Sequence, residues 1–257
     1  MNYWIGDFGL RKKSEILYYF CLTLVQPVSQ NGFIDPAYPP VLRHSADCRI
    51  HYWPLVAKER TEILNFMLGA ITRWLFVDVY GWQIVGPVPH HVSKAIWAVV
   101  PHSTNWDFLI GIGIRPTIHI WIEYLAKSQL FAWYSGWFFR LTGGRPVYRS
   151  KANNLVDAVI DVFNNTDKLH LCITPEGTRG DVAKLKTGFY YIALKANVPL
   201  ILTGFDWTNR RVLLSEPLYV TGDYQQDMIP FYEFFSQIPN VKKTWMKNWQ
   251  ESGVIPA

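Results

Sequence analysis

Three short stretches hold the residues whose types and spacing suit chemistry. The first is "AIWAVVPHSTNWDFLIG", Ala95 to Gly111, where an apolar run stops at Pro101, a histidine follows at once and an aspartate comes five positions later. Imidazole gains and loses a proton near neutral pH, and a carboxylate within reach can hold one of its ring nitrogens. His102 and Asp107 are therefore candidate partners. The plainer alternative is a satisfied histidine followed by an aspartate at a helix start, where the dipole favours it. The second stretch is "ITPEGTRG", Ile173 to Gly180. Glu176 can accept a hydrogen bond from a hydroxyl, Gly177 lets backbone approach a ligand closely, and Arg179 offers a planar fork that suits a phosphate. Alone, this segment reads better as a turn with a surface ion pair. The third is "GGRPVYRS", Gly143 to Ser150, a glycine turn that leads into basic residues.

The elements that must position these residues alternate along the chain. "WQIVG" and "AIWAVV" read as strands, "NWDFLIGIG" as a helix start and "IHIWIEYL" as a strand. "NNLVDAVIDVFNN" carries an apolar stripe at helical spacing through Leu155, Val156, Val159, Ile160 and Phe163. "LHLCIT" is a short buried strand, "GFYYIALKAN" a helix and "VPLILTGFD" another strand. Strands that alternate with helices predict an α/β domain with a mostly parallel central sheet flanked by helices. Ligands of such sheets gather at the carboxyl ends of the strands. Both His102 and the Pro-Glu-Gly-Thr-Arg segment fall at such ends.

The 257 residues suffice for one large core. Hydrophobic content of 49% with 18% charged residues excludes a disordered or fibrous chain. The twelve tryptophans fit either an aromatic core or a membrane–water interface. A formal charge of +5 favours anionic partners. Cys21, Cys48 and Cys172 are odd in number and far apart, as expected of reduced thiols. Residues 1–60 show no sustained period and read as an irregular N-terminal extension, with the compact domain over 61–257. The apolar run near Ile16–Val25 is too short to span a bilayer. Ile63–Val77 is apolar on almost every face and predicts an N-terminal helix buried in protein or lying in one leaflet. Leu130–Gly144 poses the same choice.

His102-x-x-x-x-Asp107, then Gly143-Gly-x-Pro-Val-x-Arg149, then Pro175-Glu-Gly-Thr-Arg179, then Val198-Pro199 follow one another in order. With these four blocks the sequence resembles the glycerolipid acyltransferase family, whose best-known members acylate lysophosphatidic acid or glycerol 3-phosphate. The resemblance runs from about Ile63 to Tyr232. It departs from the family pattern at Tyr148, Thr174 and Gly180, where aspartate, phenylalanine and serine are common, and it sits closest to a small branch of the family.

The resemblance implies an O-acyltransferase of phospholipid biosynthesis with His102 as general base and Asp107 as its partner. An alcohol attacks a thioester well only as a base removes its proton, and a carboxylate on the far ring nitrogen fixes the tautomer that can do so. The resemblance also implies an acceptor phosphate near Arg149 and Arg179, with Glu176, Gly177 and Thr178 completing its pocket, and Val198 and Pro199 in the acyl-site wall. The expected acceptor is a lysophospholipid-like membrane lipid, 1-acylglycerol-3-phosphate first. Acyl-CoA or acyl-carrier protein is the co-substrate, with no further cofactor. No zinc spacing, Walker loop or Gly-x-Ser-x-Gly elbow occurs in the sequence. Basic residues beside long apolar segments predict a membrane surface as partner and no nucleic acid, hence a peripheral protein on the cytoplasmic face. Two alternatives are a thioesterase or hydrolase using the same pair, and a non-catalytic module that binds acidic lipid.

Overall fold

The computed structural model describes residues 69–102, 104–147, 155–239 and 241–256. The division expected near residue 60, the apolar run in 16–25 and the first part of the Ile63–Val77 helix lie outside them.

Seven strands form one sheet: β1 (Gln83–Val85), β2 (Lys94–Val99), β3 (Ile122–Lys127), β4 (Gly144–Val147), β5 (Leu169–Ile173), β6 (Leu200–Asp206) and β7 (Arg211–Leu214), in the order β1-β7-β6-β2-β5-β3-β4. The run β6-β2-β5-β3-β4 is parallel throughout. β7 turns back antiparallel on β6, and β1 pairs parallel with β7. The α/β class and the mostly parallel sheet expected from the sequence are thus present.

Strand alternation explains why both faces are covered. Ile96 and Ala98 of β2, and Val100 just beyond it, enter one core, which also takes Leu200 and Leu202 of β6. Ala95 and Trp97 point the other way, into a second core with Ile201 and Phe205. The first core is roofed by helices α3 (Leu155–Asn164), α4 (Gly188–Ala196), α5 (Tyr224–Ser236) and α6 (Thr244–Ser252). The second is roofed by α1 (Asn105–Ile118) through Ile110, Ile114 and Ile118. A strand buried on both faces is largely apolar; β6 is buried along its whole length, and its buried charge, Asp206, is paired with Arg211.

Two sequence expectations shift. "IHIWIEYL" does not form one strand: Ile118 closes α1, His119 caps that helix in the left-handed region (φ 52°), and β3 starts at Ile122. The i, i+4, i+8 burial of Ile110, Ile114 and Ile118 outweighs the local alternation. Leu130–Gly144 is not one apolar helix either. It divides into a 3₁₀ turn (Ser128–Phe131), the short helix α2 (Gly136–Leu141) and the start of edge strand β4.

In the apolar segment before β1, residues 69–73 are helical and pass into a π-helical turn, Trp74–Val79. One face packs on α1. A Cβ on Gly113 would lie 2.5 Å from Phe76, and one on Gly69 would lie 2.6 Å from Pro116. Ile71, Trp74 and Val79 are exposed on this segment. Among the described residues no helix is long and apolar enough to cross a membrane.

Candidate active site

β2 leads through Val100 and Pro101 to His102 at the carboxyl edge of the sheet. Thr104 then caps α1 in a capping box whose third helical residue is Asp107. The motif spacing follows from this turn: a cap, three residues of helix, and a carboxylate folded back over the strand end. Asp107 Oδ2 lies 3.4 Å from His102 Nδ1. That is looser than a tight hydrogen bond, as catalytic contacts often are before substrate binds. The Asp107 side chain is 1% exposed and that of His102 19%, so the imidazole alone opens to solvent. Asp107 Oδ2 also accepts the Thr104 backbone N–H at 2.7 Å. Its Oδ1 accepts the Thr104 hydroxyl at 3.2 Å and the Trp207 indole N–H at 3.0 Å.

β5, next to β2, delivers the second block to the same edge. Gly177 sits at φ 64°, and a Cβ there would fall 2.8 Å from the Lys186 side chain. The left-handed backbone favours glycine here, whereas the exposed Lys186 side chain can swing clear of a Cβ. Thr178 and Arg179 are exposed. Glu176 is buried, and its carboxylate is occupied by the protein: Oε2 accepts the His102 backbone N–H at 2.9 Å, while Oε1 accepts the Trp245 indole N–H at 3.0 Å and lies 3.4 Å from Lys243 Nζ. Lys243 also donates to the Arg179 carbonyl at 3.4 Å. The two blocks are therefore linked directly, and helix α6 braces the link from behind.

Beside these strand ends, a shallow cavity of about 370 Å³ opens at the carboxyl ends of β3 and β4, lined by Lys127, Ser128, Gln129 and Val147. On the far side of β3, buried Arg115 donates to the carbonyls of Ile122 (2.7 Å) and Thr142 (2.9 Å) and so joins α1, β3 and the turn before β4. Desolvation lowers its pKa to about 10, which still leaves it charged at neutral pH. Desolvation pushes the Cys172 thiol on β5 up to about 12, so it stays protonated and offers no thiolate nucleophile.

Of the residues singled out in the sequence, His102, Asp107, Glu176, Gly177, Thr178 and Arg179 meet at this one edge. Arg149 lies outside the described residues. Val198 and Pro199 are not brought there. β6 pairs with β2 so that Leu200 stands opposite Ile96, and Pro199 accepts the Ile96 N–H. Both are buried at the amino edge, about 20 Å of strand away from His102.

Residues 85–203 match the Acyltransferase family model. This stretch is an acyltransferase domain of the glycerolipid acyltransferase family. No curated protein matches the chain. The matched segment opens in β1 and closes in β6, so it contains the His102–Asp107 pair and the Glu176–Arg179 loop.

Among the described residues outside the matched segment, Trp207, Lys243 and Trp245 touch this candidate site. Trp207 could have been found, because it directly follows a strand ending at the ligand-bearing edge. Nothing in the sequence points to Lys243 and Trp245. Their contacts with Glu176 join positions 67 and 69 residues apart, a separation set by the packing of α6.

Proposed function

We propose that this acyltransferase is an O-acyltransferase that moves a fatty acyl group from acyl-CoA or acyl-carrier protein to the free hydroxyl of a lysophospholipid-like acceptor, 1-acylglycerol-3-phosphate first. The reading rests on one observation above all: a partly exposed imidazole whose Nδ1 faces a buried, hydrogen-bonded carboxylate at 3.4 Å. With Nδ1–H turned to Asp107, the lone pair of Nε2 is left for the substrate. The acceptor hydroxyl attacks the thioester carbonyl as Nε2 takes its proton. The tetrahedral intermediate then collapses, the C–S bond breaks, and the imidazolium returns the proton to the leaving thiolate. The product is an ester and a free thiol, with no covalent enzyme intermediate. Transfer of labelled acyl from acyl-CoA to 1-acylglycerol-3-phosphate is the direct test. Thioester loss that is equally fast without acceptor would assign the pair to hydrolysis instead.

Arg179 is the residue proposed to receive the acceptor phosphate, since it is exposed on the loop that Glu176 anchors behind His102. Arg179→Ala is expected to raise the acceptor KM with little change in the donor KM, by the roughly 1.5–3 kcal/mol of a charge-assisted contact. Arg179→Lys should recover only part of this, because an ammonium lacks the planar fork. Equal losses for both substrates would remove the acceptor phosphate from Arg179.

The site is further proposed to work at a membrane surface, with the protein peripheral on the cytoplasmic face. Support comes from aromatic side chains left in solvent: Trp133 is 92% exposed, and Tyr134, Trp137 and Trp74 are also exposed. Indole rings favour the headgroup region, and a net charge of +5 favours acidic lipid. Flotation with vesicles of acidic phospholipid should fall with salt without vanishing, because salt screens charge but not apolar insertion. Replacing Trp133 and Trp137 by serine should remove much of the salt-resistant part. A wild-type protein that never floats would return these rings to an ordinary surface.

A further inference from the structure

We propose that Trp207 is a positioning residue for acyl transfer: its indole N–H fixes the Asp107 carboxylate so that one oxygen alone is presented to His102. The inference rests on the reading of His102 as general base. A carboxylate is free to turn about its Cβ–Cγ bond, and one turned out of plane no longer points an oxygen at the imidazole N–H. In this site that turn is restrained from both sides. Oδ1 accepts from Trp207 Nε1 at 3.0 Å and from the Thr104 hydroxyl at 3.2 Å, while Oδ2 faces His102 and accepts the Thr104 backbone N–H. Thr104 belongs to the same turn as Asp107 and moves with it. Trp207 lies 100 residues away on the end of β6, so it alone of these donors refers the carboxylate to the sheet.

The indole is itself held. Its ring meets the edge of Trp82 at 5.1 Å with the planes at 90°. Trp82 is buried, and its backbone N–H is bonded to the Phe76 carbonyl at 2.9 Å. Thr203 of β6 stands opposite Val99, so the far ends of β6 and β2 emerge side by side. The β6 end delivers Trp207 and the β2 end delivers His102. Trp207 is 44% exposed, so removing its N–H does not open the core.

The test uses two substitutions that separate the donor from the ring. Trp207→Phe keeps an aromatic ring and loses the N–H. Trp207→His loses the benzo ring but keeps a five-membered ring with a nitrogen where the indole nitrogen stood. A donor role predicts that Trp207→Phe lowers kcat about 10–100-fold with both KM values nearly unchanged, as for loss of a hydrogen bond to a charged group. Trp207→His should then be the more active of the two. A packing role predicts the reverse order, which would overturn the proposal. A second readout needs no substrate. The imidazole ¹⁵N shifts of the full-length protein, with His102 assigned by its loss in His102→Ala, should report the Nδ1–H tautomer in wild type and a mixture in Trp207→Phe. Unchanged shifts together with unchanged kcat in Trp207→Phe would also overturn it. Failure of the underlying reading looks different: His102→Ala would then retain transfer whatever happens at Trp207.

Discussion

His102→Ala is expected to lose at least about 10²–10⁴-fold in acyl transfer while folding as the wild type does. The activity loss follows from the proposed chemistry, in which the imidazole is the group that removes the hydroxyl proton as the alcohol attacks. The retained fold follows from geometry. The His102 side chain is partly exposed, and Asp107 keeps its hydrogen bonds from Thr104 and Trp207 when the ring is removed. Asp107→Asn should be comparably severe, approaching about 10⁴-fold where an amide imposes the wrong tautomer on the imidazole. It should also cost stability. Whichever way the amide turns, its NH₂ confronts a donor, either the Thr104 N–H and the ring nitrogen side or the Trp207 indole N–H. Steady-state kinetics with acyl-CoA and 1-acylglycerol-3-phosphate, alongside thermal unfolding, separates the two effects. A folded His102→Ala protein with near-normal transfer would sink the mechanism.

The second large effect is on stability. Glu176→Ala should destabilise the domain by about 3–5 kcal/mol, the range for removing one partner of a buried ion pair. Three groups lose their acceptor at once: the Lys243 ammonium, itself only 8% exposed, the Trp245 indole N–H and the His102 backbone N–H. For a domain of this size that corresponds to roughly 6–20 °C in Tm. The double variant Glu176→Gln with Lys243→Met should recover only part of the loss: no charge is then left buried alone, but the amide NH₂ must face one of the two donors, the His102 N–H or the Trp245 indole N–H. Denaturant or thermal unfolding of the three proteins provides the measurement. If Glu176→Ala melts with the wild type, Glu176 does not hold the two blocks together and its carboxylate is available to substrate.

This second case changes how the Pro-Glu-Gly-Thr-Arg block is understood. From the sequence, Glu176 is a polar residue in a loop beside an arginine, and the natural assignment is the substrate pocket. In the fold its carboxylate turns inward while Arg179 turns out. The two charged residues of one motif thus have different environments, because the loop makes its left-handed turn at Gly177, between them.

The sequence by itself determined the layered α/β architecture, since alternating apolar strands and amphipathic helices leave few other ways to bury both faces of a sheet. It also determined the local unit of the site. The His102-to-Asp107 spacing is a strand end, a cap and one turn of helix, all within six consecutive residues, and such short-range geometry is carried by the chain itself. The family blocks added which strand ends belong together. Tertiary structure alone decided the rest. Val198-Pro199 is a block like the others in sequence, yet the parallel register of β6 on β2 puts it at the opposite edge from His102, because a parallel strand must enter the sheet at the amino edge before it reaches the carboxyl one. Ile118 went to a helix and not a strand because the core under α1 needed a third isoleucine. Trp207, Lys243 and Trp245 became part of the site through contacts spanning 67 to 100 residues. A donor for a buried carboxylate has to be present, but any distant indole or amine could supply it, and only the packing of β6 and α6 selects which one does.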